Sequence, residues 1–192
     1  MIKTENFEQV EVTAQEELRE WLLAHHAQDD SVWLVTYKKV EPEKYVSTSQ
    51  VLDELLCFGW IDGIRRKLDD KRTMQLISPR RVQYWSKTYK DRAARLEREG
   101  KMHAAGRRSI AESKENGMWH FLDDVDALIV PKDLAAGLKK HPGAEDFFMA
   151  LPPAAKRFAL RWIKLAKSDK TRANRIEKTS QLSAQGKKVP GS

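Results

Sequence analysis

The sequence has few of the features that mark disulfide frameworks, membrane proteins or exported proteins. Its single cysteine, Cys57, cannot form a disulfide within the chain. Its apolar runs, such as residues 32–35, are far shorter than the roughly 20 residues that a membrane-spanning helix needs. The first ten residues are polar and acidic and lack the basic start and apolar middle of an export signal. We therefore expect a cytoplasmic protein.

Familiar catalytic and metal-binding motifs are also missing. The sequence has no Ser-His-Asp order, no phosphate-binding loop and no cysteine or histidine spacing typical of a metal site. Cys57 lies in an apolar helical run without a neighbouring histidine to activate it, so we interpret it as a small buried hydrophobic residue. We expect no cofactor and no metal, and the sequence leaves open whether the chain is an enzyme.

What the sequence does have is charge arranged in alternating blocks. The formal net charge is +7, yet residues 1–60 carry 5 basic and 12 acidic side chains, whereas residues 61–110 carry 15 and 6. Residues 111–150 carry 4 and 8, and residues 151–192 carry 11 and 2. Either these blocks pair with each other inside the fold, or the basic blocks face an anionic partner.

The first 80 residues show the patterns of a small sheet. Residues 32–37 are rich in β-branched and aromatic side chains, and segments 60–68 and 73–77 flank a turn-rich link of hairpin length. A looser alternation over residues 7–12 predicts an edge strand. We therefore predict a three- or four-stranded antiparallel sheet.

Two capped helices are predicted to cover this sheet. Thr13 and Glu16 have the spacing of a capping box and predict a helix that ends near Ala27. Ser47 and Gln50 form a second capping box, which begins the apolar helix that leads to Gly59.

The rest of the chain is predicted to be mostly helical. Ser86 is predicted to begin a helix through residue 99, and an irregular connection is predicted over 119–130. Further helices are predicted over residues 104–116, in a short segment after Pro131, and over 144–151, 154–167 and 171–182. The predicted fold class is α+β, with an α+β domain over 1–128, a helical region over 129–184 and a disordered tail over 185–192.

The main candidate site lies between residues 60 and 87. Arginine side chains bind phosphate or carboxylate groups through two parallel hydrogen bonds, aromatic rings stack on ligands, and a helix N-terminus offers free N–H groups. The predicted ligand-binding residues are Trp60, Asp62, Arg65, Arg66, Arg80, Arg81, Trp85, Ser86 and Lys87. The alternative is structural: the tryptophans belong to the core, Asp62 orders a turn, and the arginines pair with the acidic first block.

A second candidate is the basic amphipathic helix over residues 154–167, which carries Trp162. Such a helix binds nucleic acid or a membrane surface in some proteins, and in many others its basic stripe is simply a solvated face.

Several motifs along the chain combine into a family pattern. They are C-F-G-W-I-D-G at 57–63, I-R-R-K-L-D-D at 64–70, S-P-R-R-V-Q-Y-W-S-K at 78–87, V-W-L-V-T-Y-K-K at 32–39, P-P-A-A-K-R-F-A-L-R-W-I at 152–163 and T-R-A-N-R-I at 171–176. With these motifs the sequence resembles the YdeI/OmpD-associated family, also described as bacteriocin-protection proteins. The resemblance implies a stress-linked role, tolerance of bacteriocins or cationic peptides, and association with a porin, but no catalytic residues. Residues 82–84 are V-Q-Y where the resemblance predicts a serine-rich stretch.

Three interpretations of function follow. The first is a cytoplasmic, stress-linked protein that binds an anionic small molecule or nucleic acid through a basic Trp/Arg groove. The second is an enzyme that acts on a phosphorylated or acidic substrate at the same groove. The third is an interaction module whose basic helices bind an acidic protein partner.

Overall fold

The computed structural model describes residues 7–190, and the chain divides into two units between His120 and Phe121. Each unit has its own hydrophobic core. The boundary predicted at residue 128 falls inside the second unit, because Leu122 and Val125 are buried in that unit's core. Across residues 7–190, none of the helices is long and apolar enough to cross a membrane.

The first unit is built on a four-stranded sheet. The strands are β1 (Gln9–Glu11), β2 (Val32–Tyr37), β3 (Trp60–Lys67) and β4 (Arg72–Pro79), in the order β1-β2-β4-β3. The α+β class is confirmed. The prediction of an antiparallel sheet is wrong for one pair, since β1 runs parallel to β2. A helix connects these two strands, and such a crossover allows the chain to enter both strands in the same direction.

Over residues 7–120, four α-helices accompany the sheet of the first unit. They are α1 (Gln15–His25), α2 (Thr48–Cys57), α3 (Lys87–Arg98) and α4 (Ala104–Glu115), with a short 3₁₀ helix at Pro42–Lys44. The capping box of α2 is confirmed: the N–H of Gln50 donates to Ser47 Oγ at 3.2 Å, and the N–H of Ser47 donates to Gln50 Oε1 at 2.9 Å.

The predicted capping box of α1 is wrong. The N-cap of helix α1 is Ala14, one residue after the predicted Thr13, and its side chain makes no capping hydrogen bond. Thr13 instead contacts Glu17, one residue beyond the predicted partner Glu16. Its backbone N–H donates a hydrogen bond to Glu17 Oε2 at 2.7 Å. The shifted start explains the change of partner.

At the C-terminal end of α2, helix α4 packs closely against the chain. A Cβ atom on Gly106 of α4 would lie 2.3 Å from the carbonyl oxygen of Cys57, so the two backbones touch. Gly59 has a φ of +72° and ends α2, and a Cβ there would lie 2.9 Å from the Cβ of Ser109. Both positions therefore require glycine, one for space and the other also for backbone conformation.

The second unit is helical. Its helices are α5 (Asp123–Asp126), α6 (Lys132–Lys139), α7 (Ala144–Ala150), α8 (Pro153–Lys164) and α9 (Asp169–Ala184). Helix α5 lies in the stretch predicted to be irregular. Its Asp124 accepts a hydrogen bond from the backbone N–H of Val125 and pairs with Lys164 of α8 at 2.5 Å, so contacts from elsewhere in the unit support this short helix.

The tail predicted over 185–192 differs in part from the structure. Residues 185–190 are described, and Val189 is buried in the core of the second unit. Residues 191 and 192 lie outside the described residues. Burial of one apolar side chain thus holds a segment whose composition alone predicts disorder.

Candidate functional site

Many charges of the basic block 61–110 are paired with the acidic block before it. Arg92 and Arg95 of α3 both bind the carboxylate of Asp53 in α2, the latter at 2.7 Å. Arg72 of β4 binds Glu11 of β1 at 2.7 Å. The first of the two explanations for the alternating charge therefore applies to these side chains: the blocks pair inside the first unit.

Two of the predicted ligand residues on β3, Trp60 and Arg66, make contacts with residues outside the predicted site. The side chain of Trp60 is buried, and its Nε1–H donates to the carbonyl oxygen of His26 at 3.2 Å. Its ring packs edge-on against Trp21, with the ring centroids 5.5 Å apart. The Arg66 guanidinium lies over the ring of Trp33, 5.2 Å from its centroid. Trp60 is thus a core residue with a satisfied donor.

Three further predicted residues lie on the exposed surface or at a helix start. Arg81 Nη2 binds Asp29 Oδ1 at 3.0 Å, and Lys87 Nζ binds Asp91 Oδ2 at 2.7 Å. Ser86 precedes α3 as predicted, but its side chain makes no capping hydrogen bond.

The structure does bring together Asp62, Arg65, Arg80 and Trp85, and it adds two residues that the sequence analysis missed. We call the group the Asp62 cluster; it consists of Asp62, Arg65, Gln75, Arg80, Trp85 and Tyr89. Asp62 accepts hydrogen bonds from the Tyr89 hydroxyl at 2.5 Å and from Gln75 Nε2 at 3.2 Å. Arg65 Nη2 donates in turn to Gln75 Oε1 at 2.6 Å.

An irregularity in β3 explains how Asp62 and Arg65 come to share Gln75. Residues three apart on a regular strand lie on opposite faces. Here Asp62 pairs with Ile77 and Arg65 pairs with Gln75, so three steps along β3 match two along β4. This β-bulge places both side chains on the same face. Gly63 lies in the bulge, where a Cβ atom would come 3.2 Å from the carbonyl oxygen of Leu76.

Arg80 directly follows β4 and is the buried member of the cluster. Its backbone N–H donates to the carbonyl oxygen of Gly59 at 2.8 Å, and its side chain is only 7% exposed. The guanidinium carbon lies 4.0 Å from the ring centroid of Trp85 and 5.6 Å from that of Tyr89. Two aromatic faces therefore hold the guanidinium group.

Two buried donors of this group have no hydrogen-bond acceptor among the described residues: Arg80 Nε and Trp85 Nε1. Among the described residues, the Arg80 guanidinium donates one long hydrogen bond, 3.4 Å from Nη1 to the carbonyl oxygen of Gln83. Buried polar groups are normally satisfied, and an unmet donor costs about 1–3 kcal/mol. The site thus has two buried N–H groups ready for an acceptor.

The electrostatics of the cluster favour a bound anion. Burial lowers the pKa of Arg80 to about 10, against the opposing effect of Tyr89 and Asp62, so Arg80 stays protonated at neutral pH. Burial and the hydrogen bond to Asp62 raise the pKa of Tyr89, which stays a neutral phenol. Two arginines against one carboxylate give the cluster one net positive charge.

Gln75 and Tyr89 left only weak signals in the sequence. Gln75 is a polar residue between the apolar Met74 and Leu76 of β4, and it is buried in the structure. Tyr89 lies in the first turn of α3, one turn after the predicted N-cap, so its ring is directed back toward the sheet. Both signals require knowledge of which elements pack together.

The basic helix α8 of the second unit makes contacts with α9 through Trp162. The Arg175 guanidinium donates to the carbonyl oxygen of Trp162 and lies 5.1 Å from its ring centroid. An open groove of about 680 Å³ lies between α6 and α9, where Arg172 binds Asp133 at 2.6 Å. Within residues 7–190, no three histidine, cysteine or acidic side chains come together in a way that could hold a metal ion.

The fold and the cluster define an α+β protein with a buried, aromatic-stacked arginine, joined to a helical second unit. Residues 10–109, just over half of the chain, match the model of a family described as a domain of unknown function (DUF8412), and the chain belongs to that family. Residues 127–186 match the family described as "Bacteriocin-protection, YdeI or OmpD-Associated", which confirms the resemblance over this part of the chain. No curated protein and no solved structure matches the chain.

Proposed function

We propose that the first unit binds a small anion at the Asp62 cluster. The observation that supports this proposal is Arg80: it is buried and protonated, no carboxylate binds it directly, and its Nε–H has no acceptor among the described residues. Trp85 contributes a second such donor at the same place. A buried charge destabilises the fold unless it is paired, so a buried arginine with an unmet donor suits an anionic ligand or a bound water.

The burial of Arg80 favours a small anion over nucleic acid. Proteins that bind a nucleic-acid backbone contact its phosphates with accessible Lys and Arg side chains. In this unit, Arg81, Arg92 and Arg95 have carboxylate partners, and Arg80 is nine-tenths buried. A phosphate within a long polymer reaches such a donor with difficulty, whereas a free carboxylate or phosphate does not have this constraint.

The proposal concerns binding and assigns no reaction. Asp62 is the one carboxylate of the cluster, and both of its oxygens already accept hydrogen bonds, from Tyr89 and Gln75. A general base needs an oxygen within reach of the proton that it removes. The contacts of Asp62 therefore support a role in orienting Gln75 and Tyr89.

The family match of the second unit suggests a biological setting. We propose that anion binding by the first unit serves in bacteriocin tolerance, and the support for this setting is the printed description of the family that residues 127–186 match. Cells that lack the protein should then survive bacteriocin or cationic-peptide challenge less well, and the wild-type chain should restore survival where the Arg80→Lys chain does not. The cytoplasmic location and the stress-linked role stay predictions, which cell fractionation and such survival assays test.

Binding is tested directly by calorimetry and thermal unfolding with a defined panel. The panel contains inorganic phosphate, acetate, short dicarboxylates, sugar phosphates, and single- and double-stranded oligonucleotides, each at two salt concentrations. We expect one class of small anion to bind and to raise the Tm, because a ligand that binds only the folded state stabilises it. Binding that increases with oligonucleotide length and falls steeply with salt would contradict the proposal.

Two variants and one control make this test specific. Arg80→Lys keeps the charge but loses the Nε–H donor, and Arg65→Gln removes a charge at an exposed position; each should weaken anion binding at least about tenfold. Arg81→Ala removes an exposed arginine from the adjacent position and should leave affinity unchanged. Equal loss in Arg81→Ala would show that general charge, and not the cluster, attracts the anion.

A further inference from the structure

Helix α4 begins with an unusual cap, the side chain of His103. Its Nδ1 accepts a hydrogen bond from the backbone N–H of Ala105 at 3.2 Å, and its own backbone N–H donates to the carbonyl oxygen of Cys57 at 3.0 Å. Helices are usually capped by Ser, Thr, Asp or Asn. A histidine can accept this hydrogen bond only while Nδ1 has its lone pair, which means only while the ring is neutral.

A second histidine lies directly against this cap. His26 follows the last turn of α1, and its ring centroid is 4.7 Å from that of His103, with the rings at 68° to each other. His26 Nδ1 lies 3.2 Å from the carbonyl oxygen of Leu22, so this nitrogen carries the hydrogen. The other face of His103 stacks on Phe58, with the centroids 4.8 Å apart. The two rings thus pack together where the ends of α1 and α2 meet the start of α4.

Each element packed against His103 contributes charged or titratable groups to its surroundings. Helix α1 contributes His26 and Arg19, and α4 contributes Arg107 and Arg108. The end of α2 contributes Cys57, whose thiol is kept neutral because burial raises its pKa to about 11. The carboxylate of Glu54 in α2 is itself bound by Arg19 at 2.9 Å.

These surroundings oppose a positive charge on His103. Burial first, then His26 and the three arginines, lower the pKa of His103 below its ordinary value of 6.5. The positive partial charge at the N-terminus of α4 acts in the same direction. Protonation would also remove the acceptor that caps Ala105.

We propose that His103 and His26 form a proton-sensitive cap, which holds the first turn of α4 against the end of α2 at neutral pH and releases it in acid. The direction follows from linkage. Because the folded protein binds the proton at His103 more weakly than the unfolded chain, the stability that His103 contributes is complete above about pH 6.5. It is lost as the pH falls from 6.5 through the lower pKa of the folded state.

The test compares three full-length chains: wild type, His103→Ser and His103→Ala. Serine is a good N-cap that does not titrate in this range, so His103→Ser should keep the Tm at pH 7.5 and lose less stability than wild type between pH 7 and 5. Alanine has no capping oxygen, so His103→Ala should lower the Tm at pH 7.5 by about 3–5 °C. Identical pH profiles for wild type and His103→Ser would overturn the proposal.

A second measurement does not depend on the stability of any variant. Proton NMR of the wild-type chain follows the ring resonance of His103, assigned by its absence in His103→Ser, and the amide resonance of Ala105. We expect both to move together, with a midpoint below pH 6.5, and the protection of the Ala105 amide against hydrogen exchange, relative to its intrinsic rate at each pH, to fall in acid. A midpoint at or above 6.5, or an Ala105 amide that does not respond, would overturn the proposal.

Discussion

Two buried charges in the first unit are treated in opposite ways. Glu54 of α2 is 2% exposed, and both of its oxygens are occupied: Arg19 donates to one at 2.9 Å and Gln15 Nε2 donates to the other at 2.6 Å. Arg80 is buried nearly as deeply, but it contacts two aromatic rings and retains an unmet donor. The fold therefore pairs one buried charge completely and leaves the other without a direct counter-charge among residues 7–190.

We interpret this difference as one between a charge that serves the fold and a charge that serves the proposed anion binding. A buried charge that serves the fold alone is paired, because desolvation costs several kcal/mol. Arg80 has instead the arrangement that suits a transient counter-charge, since an anion can supply the acceptor that the protein omits. The four variants below test the comparison, from the largest expected effect to the smallest.

Removing the carboxylate of Glu54 should have the largest effect. Glu54→Ala removes the buried carboxylate that accepts from the half-buried Arg19 and Gln15, and we expect the free energy of unfolding to fall by about 3 kcal/mol. Urea denaturation measures this loss. Asp91→Ala, which removes the exposed partner of Lys87, is the matched control and should change stability by less than about 0.5 kcal/mol.

Tyr89→Phe should have an intermediate effect. It removes the hydroxyl that donates to Asp62 at 2.5 Å, and we expect a loss of about 1–2 kcal/mol, measured in the same way. Anion affinity should also fall, because the freed oxygen of Asp62 competes for the positive charge of Arg80. Unchanged affinity would show that Asp62 and Arg80 act independently.

Arg80→Met gives the sharpest contrast with Glu54→Ala. Replacing an unpaired buried charge by an apolar side chain of similar length is often neutral or stabilising, so we expect the free energy of unfolding to stay within about 1 kcal/mol of wild type or to rise. The response of the Tm to the bound anion should disappear. A loss as large as that of Glu54→Ala would make Arg80 a structural residue and end the comparison.

Arg81→Ala should have the smallest effect. Arg81 and its partner Asp29 are largely exposed, and such pairs contribute about 0–1 kcal/mol. Anion affinity should not change, as measured by calorimetry. Arg80 and Arg81 are adjacent in the sequence, so the pair of variants separates burial from charge at nearly the same position.

The elements that local patterns specify were predictable from the sequence. Strand β2, the hairpin of β3 and β4 and the capping box of α2 each depend on residues close together in the chain, and the structure contains all of them. The parallel pairing of β1 was not predictable in this way, because it depends on the path of α1 between the strands. Local sequence thus determines whether a segment forms a helix or a strand, whereas tertiary packing determines whether a strand pairs in parallel or antiparallel orientation.

The candidate site was predictable only in part for a related reason. The motif residues Asp62, Arg65, Arg80 and Trp85 do meet, yet a bulge brings the first two together and Gln75 joins them from another strand. Whether an arginine is buried or exposed is also a tertiary property, as the contrast between Arg80 and Arg81 shows. Composition predicts a basic region without indicating which of its charges are already paired.

Gly59 contacts both Arg80 and the first turn of α4, the two places that the proposals concern. Its carbonyl oxygen accepts the N–H of Arg80, and its Cα side lies against α4, where a Cβ would be 3.1 Å from the carbonyl oxygen of Ala105, the residue that His103 caps. If a proton on His103 weakens anion binding at Arg80 through this glycine, the anion must weaken proton binding at His103 by the same factor. Proton and anion would then be antagonistic ligands of one molecule, and a saturating anion would shift the titration of His103 further into the acid range.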